Sequence, residues 1–231
     1  MLPLKDRLPT RSFPVVTVGL IAASLAVWLA YQLPSEDGRV DQLGFQPCEV
    51  EGTCPTTGPA WPVNAVTSMF AHGSWDHIVF NMLFLWIFGN NVEDALGRVR
   101  FLVFYLSAGF AADALQSFVT LQYGAPEEAA IPNIGASGAI AGVLGAYVVL
   151  HPRAKVLTWI APVFFFSLPA WVYLGIWFAF QAWDGGWAFT HPEQSGGIAY
   201  FAHIGGFLFG LLVVKAFAAG RPPQLQPGEA R

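Results

Sequence analysis

Six apolar runs divide this chain, and its basic residues keep to alternate intervals between them. The runs cover about Val15–Tyr31, Ala65–Phe88, Phe101–Leu121, Gly138–Leu150, Val156–Trp183 and Gly197–Ala219. Read as membrane spans from an inside N-terminus, they place Lys5, Arg7, Arg11, Arg98, Arg100, Arg153, Lys155, Lys215, Arg221 and Arg231 on one side. Only Arg39 falls on the other, where Glu36, Asp37, Asp41, Glu49, Glu51, Glu127, Glu128, Asp184 and Glu193 collect. That asymmetry is the positive-inside pattern, and an odd number of spans would scramble it. The reading is an all-α polytopic membrane protein with six transmembrane helices. Residues 1–14 form a cytoplasmic segment, 15–219 the membrane domain with an outer loop at 33–64, and 220–231 a disordered cytoplasmic tail.

With 55% hydrophobic and 11% charged residues, the chain lies far from a soluble domain, which is about a quarter charged. The first run lacks a small-x-small cleavage pattern after it (Gln32-Leu33-Pro34-Ser35), so it reads as an uncleaved helix. No basic block with interleaved aromatics suggests nucleic acid. No cofactor motif or metal-ligand spacing is evident. Cys48 and Cys54, six positions apart in the outer loop, are expected to form a disulfide, because that side of a membrane is oxidising; the alternative is half of a metal site, for which no His lies nearby in sequence.

The fourth run is too short. At ~1.5 Å per residue it covers ~20 Å of a ~30 Å hydrocarbon layer. Its outer end must therefore begin within the bilayer, entered by loop backbone that lines a wet cavity. That end reads Gly135-Ala136-Ser137-Gly138, so Ser137 is expected at the bottom of a pocket. Polar groups at such depth call for a reason. His77 and Asn81, four apart, share a helix face, and His203 lies at a similar depth in the last run. Gly138/Gly142 and Gly206/Gly210 are GxxxG pairs that allow close helix approach, which would bring Ser137 and His203 together. A serine beside a histidine is a nucleophile with its base. His77, Asn81 and the backbone N–H of Ser137 could then serve as oxyanion donors. No acidic third member is evident.

Gly135-Ala136-Ser137-Gly138, His77-Ile78-Val79-Phe80-Asn81 and Ala202-His203-Ile204-Gly205-Gly206-Phe207-Leu208-Phe209-Gly210 resemble the three signature motifs of the rhomboid intramembrane serine proteases. Glu93-Asp94-Ala95-Leu96-Gly97-Arg98 resembles that family's turn between its second and third helices. The resemblance covers about Trp61 to Ala219 and implies the simple six-helix bacterial type. It further implies an endopeptidase with Ser137 and His203 as catalytic dyad and His77 with Asn81 in the oxyanion hole. The substrates would be transmembrane proteins, reached among membrane lipids in a bacterial inner (plasma) membrane, with the site open to the outer side. The chain departs from the family in carrying Ala141 where many members have an aromatic, so Phe207 or another aromatic is expected against His203. By the same resemblance the fifth helix and the segment Asp184-Gly185-Gly186-Trp187-Ala188-Phe189-Thr190-His191-Pro192 form a side gate and cap, with Gly185, Gly186, Gly196 and Gly197 letting it move.

Other readings accompany these. His72 reads as structural, Asp76 as a helix-start residue, and Asp113 as a buried group hydrogen-bonded to Gln116. His151 and His191 read as solvated loop residues. Two other functions compete: a catalytically inactive, client-binding relative, and a small transporter or channel whose His77, His203 and Asp113 relay protons or bind a metal. An inactive relative typically lacks the serine or the histidine, and no inverted repeat favours a transporter.

Overall fold

The computed structural model describes residues 1–35, 38–54, 59–162, 164–190 and 199–221. The chain opens with a strand, β1 (Leu2–Asp6), followed by α1 (Val15–Ala26), whose last turns are π-helical over Val27–Gln32. Two single-turn helices follow in the next loop, α2 (Val40–Leu43) and α3 (Cys48–Glu51), then α4 (Trp61–Thr67). α5 (Trp75–Phe84) continues through a π-helical turn at Leu85–Gly89 into α6 (Asn90–Leu96). Next come α7 (Arg98–Tyr123) and α8 (Ser137–Leu150), then a hairpin of β2 (Lys155–Ile160) and β3 (Phe164–Pro169), and finally α9 (Ala170–Thr190) and α10 (Tyr200–Ala218). The segments Val15–Gln32, Arg98–Tyr123 and Tyr200–Ala218 are long and apolar enough to cross a membrane, and Ser137–Leu150 is a shorter apolar helix.

α8 is the axis. Every residue from Gly138 to Tyr147 is buried, with α7 on one side and α10 on the other. Glycine makes that packing possible: a methyl at Gly206 would overlap the Gly138 carbonyl, one at Gly210 the Gly142 carbonyl, and one at Gly145 the Phe207 carbonyl. Such backbone-to-backbone contact is the membrane alternative to a hydrophobic driving force.

Three expected boundaries differ. The second run is not one helix from Ala65. α4 ends in a 3₁₀ turn at Ser68–Phe70, and a fresh helix begins at Trp75 with Ser74 as its cap, the hydroxyl accepting from His77 N at 3.3 Å. That helix carries on to Leu96, where Gly97 (φ 81°) stops it. Asp76, read as a helix-start residue, does lie in the first turn of this helix, so the apolar run from Ala65 is two helices separated by the polar stretch His72-Gly73-Ser74.

The first half of the fifth run is not helical. Lys155–Ile160 and Phe164–Pro169 pair antiparallel, Lys155 with Pro169 and Ile160 with Phe164. β1 adds the third strand, Asp6 opposite Val156. Pro162 cannot continue a helix, and Val156, Thr158, Trp159, Ile160 and Phe164–Phe166 are strand formers. The hairpin's other partner, β1, comes from the N-terminal end of the sequence, Asp6 against Val156, beyond any local pattern.

The helix after this hairpin runs through to Thr190, so Gly185 and Gly186 are helical residues and not part of a loop. A Cβ at Gly185 would sit 3.2 Å from Tyr200 Cβ. That glycine lets α9 approach α10 closely. His191, Gly196 and Gly197 lie outside the described residues, as do residues 222–231 of the expected tail.

The end of the bundle that carries β1 and the start of α1 is tied together by carboxylates. Asp6 accepts from Asn91 Nδ2 and from the Tyr147 hydroxyl, each at 2.6 Å. Asp94 takes Arg11 at 3.0 Å, and Arg221 Nη2 donates to the Asp94 carbonyl. His151, expected in solvent, is 2% exposed, its ring edge-on to Tyr147. In the loop between α1 and α4 Cys48 and Cys54 are joined, and Asn64 donates to Glu49 at 3.0 Å. Burial pushes the Glu49 carboxyl upward, and the Asn64 hydrogen bond pulls against it.

Candidate active site

Ser137 is the first residue of α8, so its N–H belongs to the group of helix-end donors that have no intrahelical partner. The loop leading to it is held from both sides. Gly135 N donates to Ser68 O at 2.9 Å, and Phe45 and Asn133 exchange backbone hydrogen bonds at 3.0 and 2.8 Å. Gly135 has φ 118°, and a Cβ there would meet His77 Nε2 at 2.6 Å. Only glycine suits that position, because it lets the His77 ring come up against the backbone just before the serine.

The Ser137 hydroxyl donates to His203 Nε2 at 2.9 Å. α10 brings His203 there through the glycine packing described above. A histidine accepting at Nε2 carries its proton on Nδ1 when neutral. That nitrogen donates to Gln181 Oε1 of α9 at 2.5 Å. The aromatic against His203 is Trp177, one helical turn before Gln181, with ring centroids 6.1 Å apart. Of the expected alternatives, Phe207 or another aromatic, it is the other aromatic that takes the place, and Phe207 stacks on Phe178 at 4.5 Å. Ala141 is buried in the core.

His77 Nδ1 accepts from Gly73 N at 3.3 Å. A backbone N–H can only donate, so the His77 proton sits on Nε2, the atom beside Gly135. Asn81 is one turn further along α5, and its Nδ2 is buried with no partner in the structure. His77 and Asn81 thus each offer an unused N–H. His72 is fully buried, its Nδ1 at 3.2 Å from Phe70 O and its ring edge-on to His77. Asp76 lies in the first turn of α5.

Asp113 differs from expectation. Gln116 accepts from Ala202 N at 3.2 Å and donates to Thr120 Oγ1 at 3.2 Å, so it is engaged elsewhere. Asp113 Oδ2 and Asn133 Nδ2 are buried without partners, and both residues line a cavity of about 20 Å³ that reaches Ser137. Among the described residues no group of three or more His, Cys, Asp or Glu side chains could hold a metal ion.

Sequence reasoning did not find Gln181 or Trp177. The signal available was an amide inside an apolar run, four residues after a tryptophan and so on the same helix face.

A helical membrane protein with a serine–histidine pair at the head of a buried short helix is the class that fold and site define. The Rhomboid domain family model matches residues 60–219, and the chain belongs to that family. It is 34% identical over 170 residues to Rhomboid protein 1, mitochondrial, of Saccharomyces cerevisiae, covering 71% of this chain and 45% of that one. It is 29% identical over 202 residues to the human presenilin-associated rhomboid-like protein, mitochondrial, covering 85% of this chain and 46% of the relative. The putative rhomboid protease YdcA of Bacillus subtilis is 29% identical over 140 residues, 59% of this chain and 62% of the relative. The chain thus spans less than half the length of the two mitochondrial relatives.

Proposed function

We propose that this chain is an intramembrane serine endopeptidase that cuts transmembrane segments of other membrane proteins. The observation that carries the reading is the hydrogen bond from Ser137 Oγ to His203 Nε2 at the sunken head of α8. As Oγ attacks the scissile carbonyl, its proton passes to His203 Nε2 and the carbonyl oxygen becomes an oxyanion. The N–H groups of His77, Asn81 and Ser137 receive that oxyanion, each donor worth about 2.7–4 kcal/mol in a water-poor site. The C–N bond then breaks as His203 returns the proton to the leaving amine. A water, deprotonated by the same histidine, attacks the acyl carbon; the bond to Ser137 Oγ breaks as His203 returns that proton to Oγ. His77 Nε2–H and the unpartnered Asn81 Nδ2 support the oxyanion assignment.

On this reading six helical segments cross the bilayer: α1, α5 with α6, α7, α8, α9 and α10. The basic inner loops face the cytoplasm of a bacterium, or the topologically equivalent side of a mitochondrial membrane. The three-stranded sheet lies at that inner face. Substrates would be helices that unwind locally, since Ser137 needs an extended backbone to attack. A client-binding relative without catalysis would be free to lose either member of the pair, and both are present and bonded.

The test is labelling of the detergent-solubilised protein with a fluorescent fluorophosphonate, alongside Ser137→Ala and His203→Ala. Labelling of wild type that disappears in both variants is the expected result. A folded wild type that neither labels nor cleaves a reconstituted transmembrane substrate would sink the protease reading in favour of client binding.

A further inference from the structure

We infer that Gln181 is a positioning residue for the reaction: its side-chain oxygen holds His203 in the tautomer that can take the Ser137 proton. The inference rests on the protease reading above and adds a third member to the pair. Imidazole has two neutral tautomers, and only the one protonated on Nδ1 leaves Nε2 free to accept. In water the two interconvert freely. In this site Nδ1 faces Gln181 Oε1 at 2.5 Å while Nε2 faces Ser137 Oγ at 2.9 Å. An amide oxygen accepts and cannot donate, so the bond is made only by the productive tautomer. In the opposite tautomer Gln181 Oε1 would face a bare Nδ1 lone pair unless the amide turned over, and Ser137 would meet an Nε2–H donor in place of the base it needs.

The placement is built into α9. Trp177 and Gln181 stand four residues apart on one helix face, and both meet His203, the ring through its face and the amide through Nδ1. Phe178, next to Trp177, stacks on Phe207 one turn below His203. The same α9–α10 seam therefore fixes the plane of the imidazole and its proton. A neutral amide suits this depth. A carboxylate in that position would stabilise the imidazolium more, but it would first have to be desolvated at a cost of several kcal/mol. His203 otherwise faces His77 from α5, and Gln181 is the group of α9 that the structure bonds to its Nδ1.

During turnover no proton leaves for Gln181. The Ser137 proton moves to Nε2, the imidazolium keeps its Nδ1–H pointed at Oε1, and Nε2 gives its proton to the leaving amine. Gln181 remains a fixed acceptor through both transfers.

The experiment uses the full-length protein in detergent with wild type, Ser137→Ala, Gln181→Met and Gln181→Glu. Each is followed by the rate of fluorophosphonate labelling and by cleavage of a transmembrane peptide across pH. Gln181→Met keeps the length and removes the acceptor; it should lower kcat by about tenfold or more, the worth of one lost hydrogen bond, with KM unchanged. Gln181→Glu keeps the acceptor and adds charge; it should retain more activity than the methionine variant and move the acid limb of the pH profile to higher pH. Should Gln181→Met fail to fold, the displaced acid limb of Gln181→Glu decides alone. A reactive wild type whose Gln181 variants keep its rate and pH profile overturns the inference and leaves the protease reading intact. A folded but unreactive wild type overturns both.

Discussion

The side chain of Gln32 grips the backbone of His72 from both sides, accepting from its N–H at 2.9 Å and donating to its carbonyl at 3.0 Å. Both residues are almost completely buried. The amide does what a neighbouring strand would do, and it ties the last turn of the first helix to the loop that launches α5. Since His77 and Asn81 hang from α5, Gln32 sets the reference point for that side of the site without touching it. Gln32→Leu keeps the volume and strands both backbone groups, each costing about 1–3 kcal/mol. A fall in Tm of roughly 5–10 °C is expected by thermal unfolding in detergent. An unchanged Tm would mean that the loop has another hold.

Glu93 caps a helix it does not belong to. Its carboxylate accepts from the N–H groups of Val16 and Thr17 and from the Thr17 hydroxyl, at 3.0, 2.7 and 2.8 Å. These are the donors left open at the start of α1, where the helix dipole also favours negative charge. Glu93→Gln keeps one acceptor and loses the charge. It should cost about 2 kcal/mol, measured as a lowered urea midpoint. A loss no larger than that of an exposed control such as Glu51→Gln would refute the cap.

Asp6 should make stability depend on pH. Burial pushes its carboxyl up to about 6, against the opposing hydrogen bonds of Tyr147 and Asn91. The folded value lies above the ordinary 3.8, so the folded state holds this proton more tightly than the unfolded chain. The contribution is therefore full at low pH and is lost as pH rises toward 6. Relative to wild type, Asp6→Asn should be the more stable at neutral pH and lose this advantage near pH 4, a difference of roughly 3 kcal/mol. Parallel Tm–pH curves for the two proteins would contradict it.

Glycines on α10 and α1 should respond oppositely to alanine. A methyl at Gly210 meets the Gly142 carbonyl, whereas nothing lies within 4 Å of one at Gly19. Gly210→Ala should drive the two helices apart at a cost of about 1–3 kcal/mol or more, and weaken Ser137 labelling with it. Gly19→Ala should be neutral or stabilising by up to about 1 kcal/mol. Equal effects of the two would show that α8 and α10 can separate freely.

Much of this protein was legible in the residues alone. Apolar runs mark α1, α7, α8 and α10 to within a few positions, because a membrane helix is apolar along its length whether it faces lipid or, like α8, is buried among other helices. Ser137, His77, Asn81 and His203 stood out because polar groups at that depth are costly, and the glycine pairs named the helices that would touch. What tertiary structure alone decided are the pairings between distant segments. β1 recruits Val156 into a sheet, Gln32 reaches across to His72, and Gln181 meets His203. An apolar run with two prolines can be a broken helix or a hairpin, and only a partner strand from the N-terminus settles which. An amide in an apolar helix announces that it needs a partner, and the packing of the helices determines which one it finds.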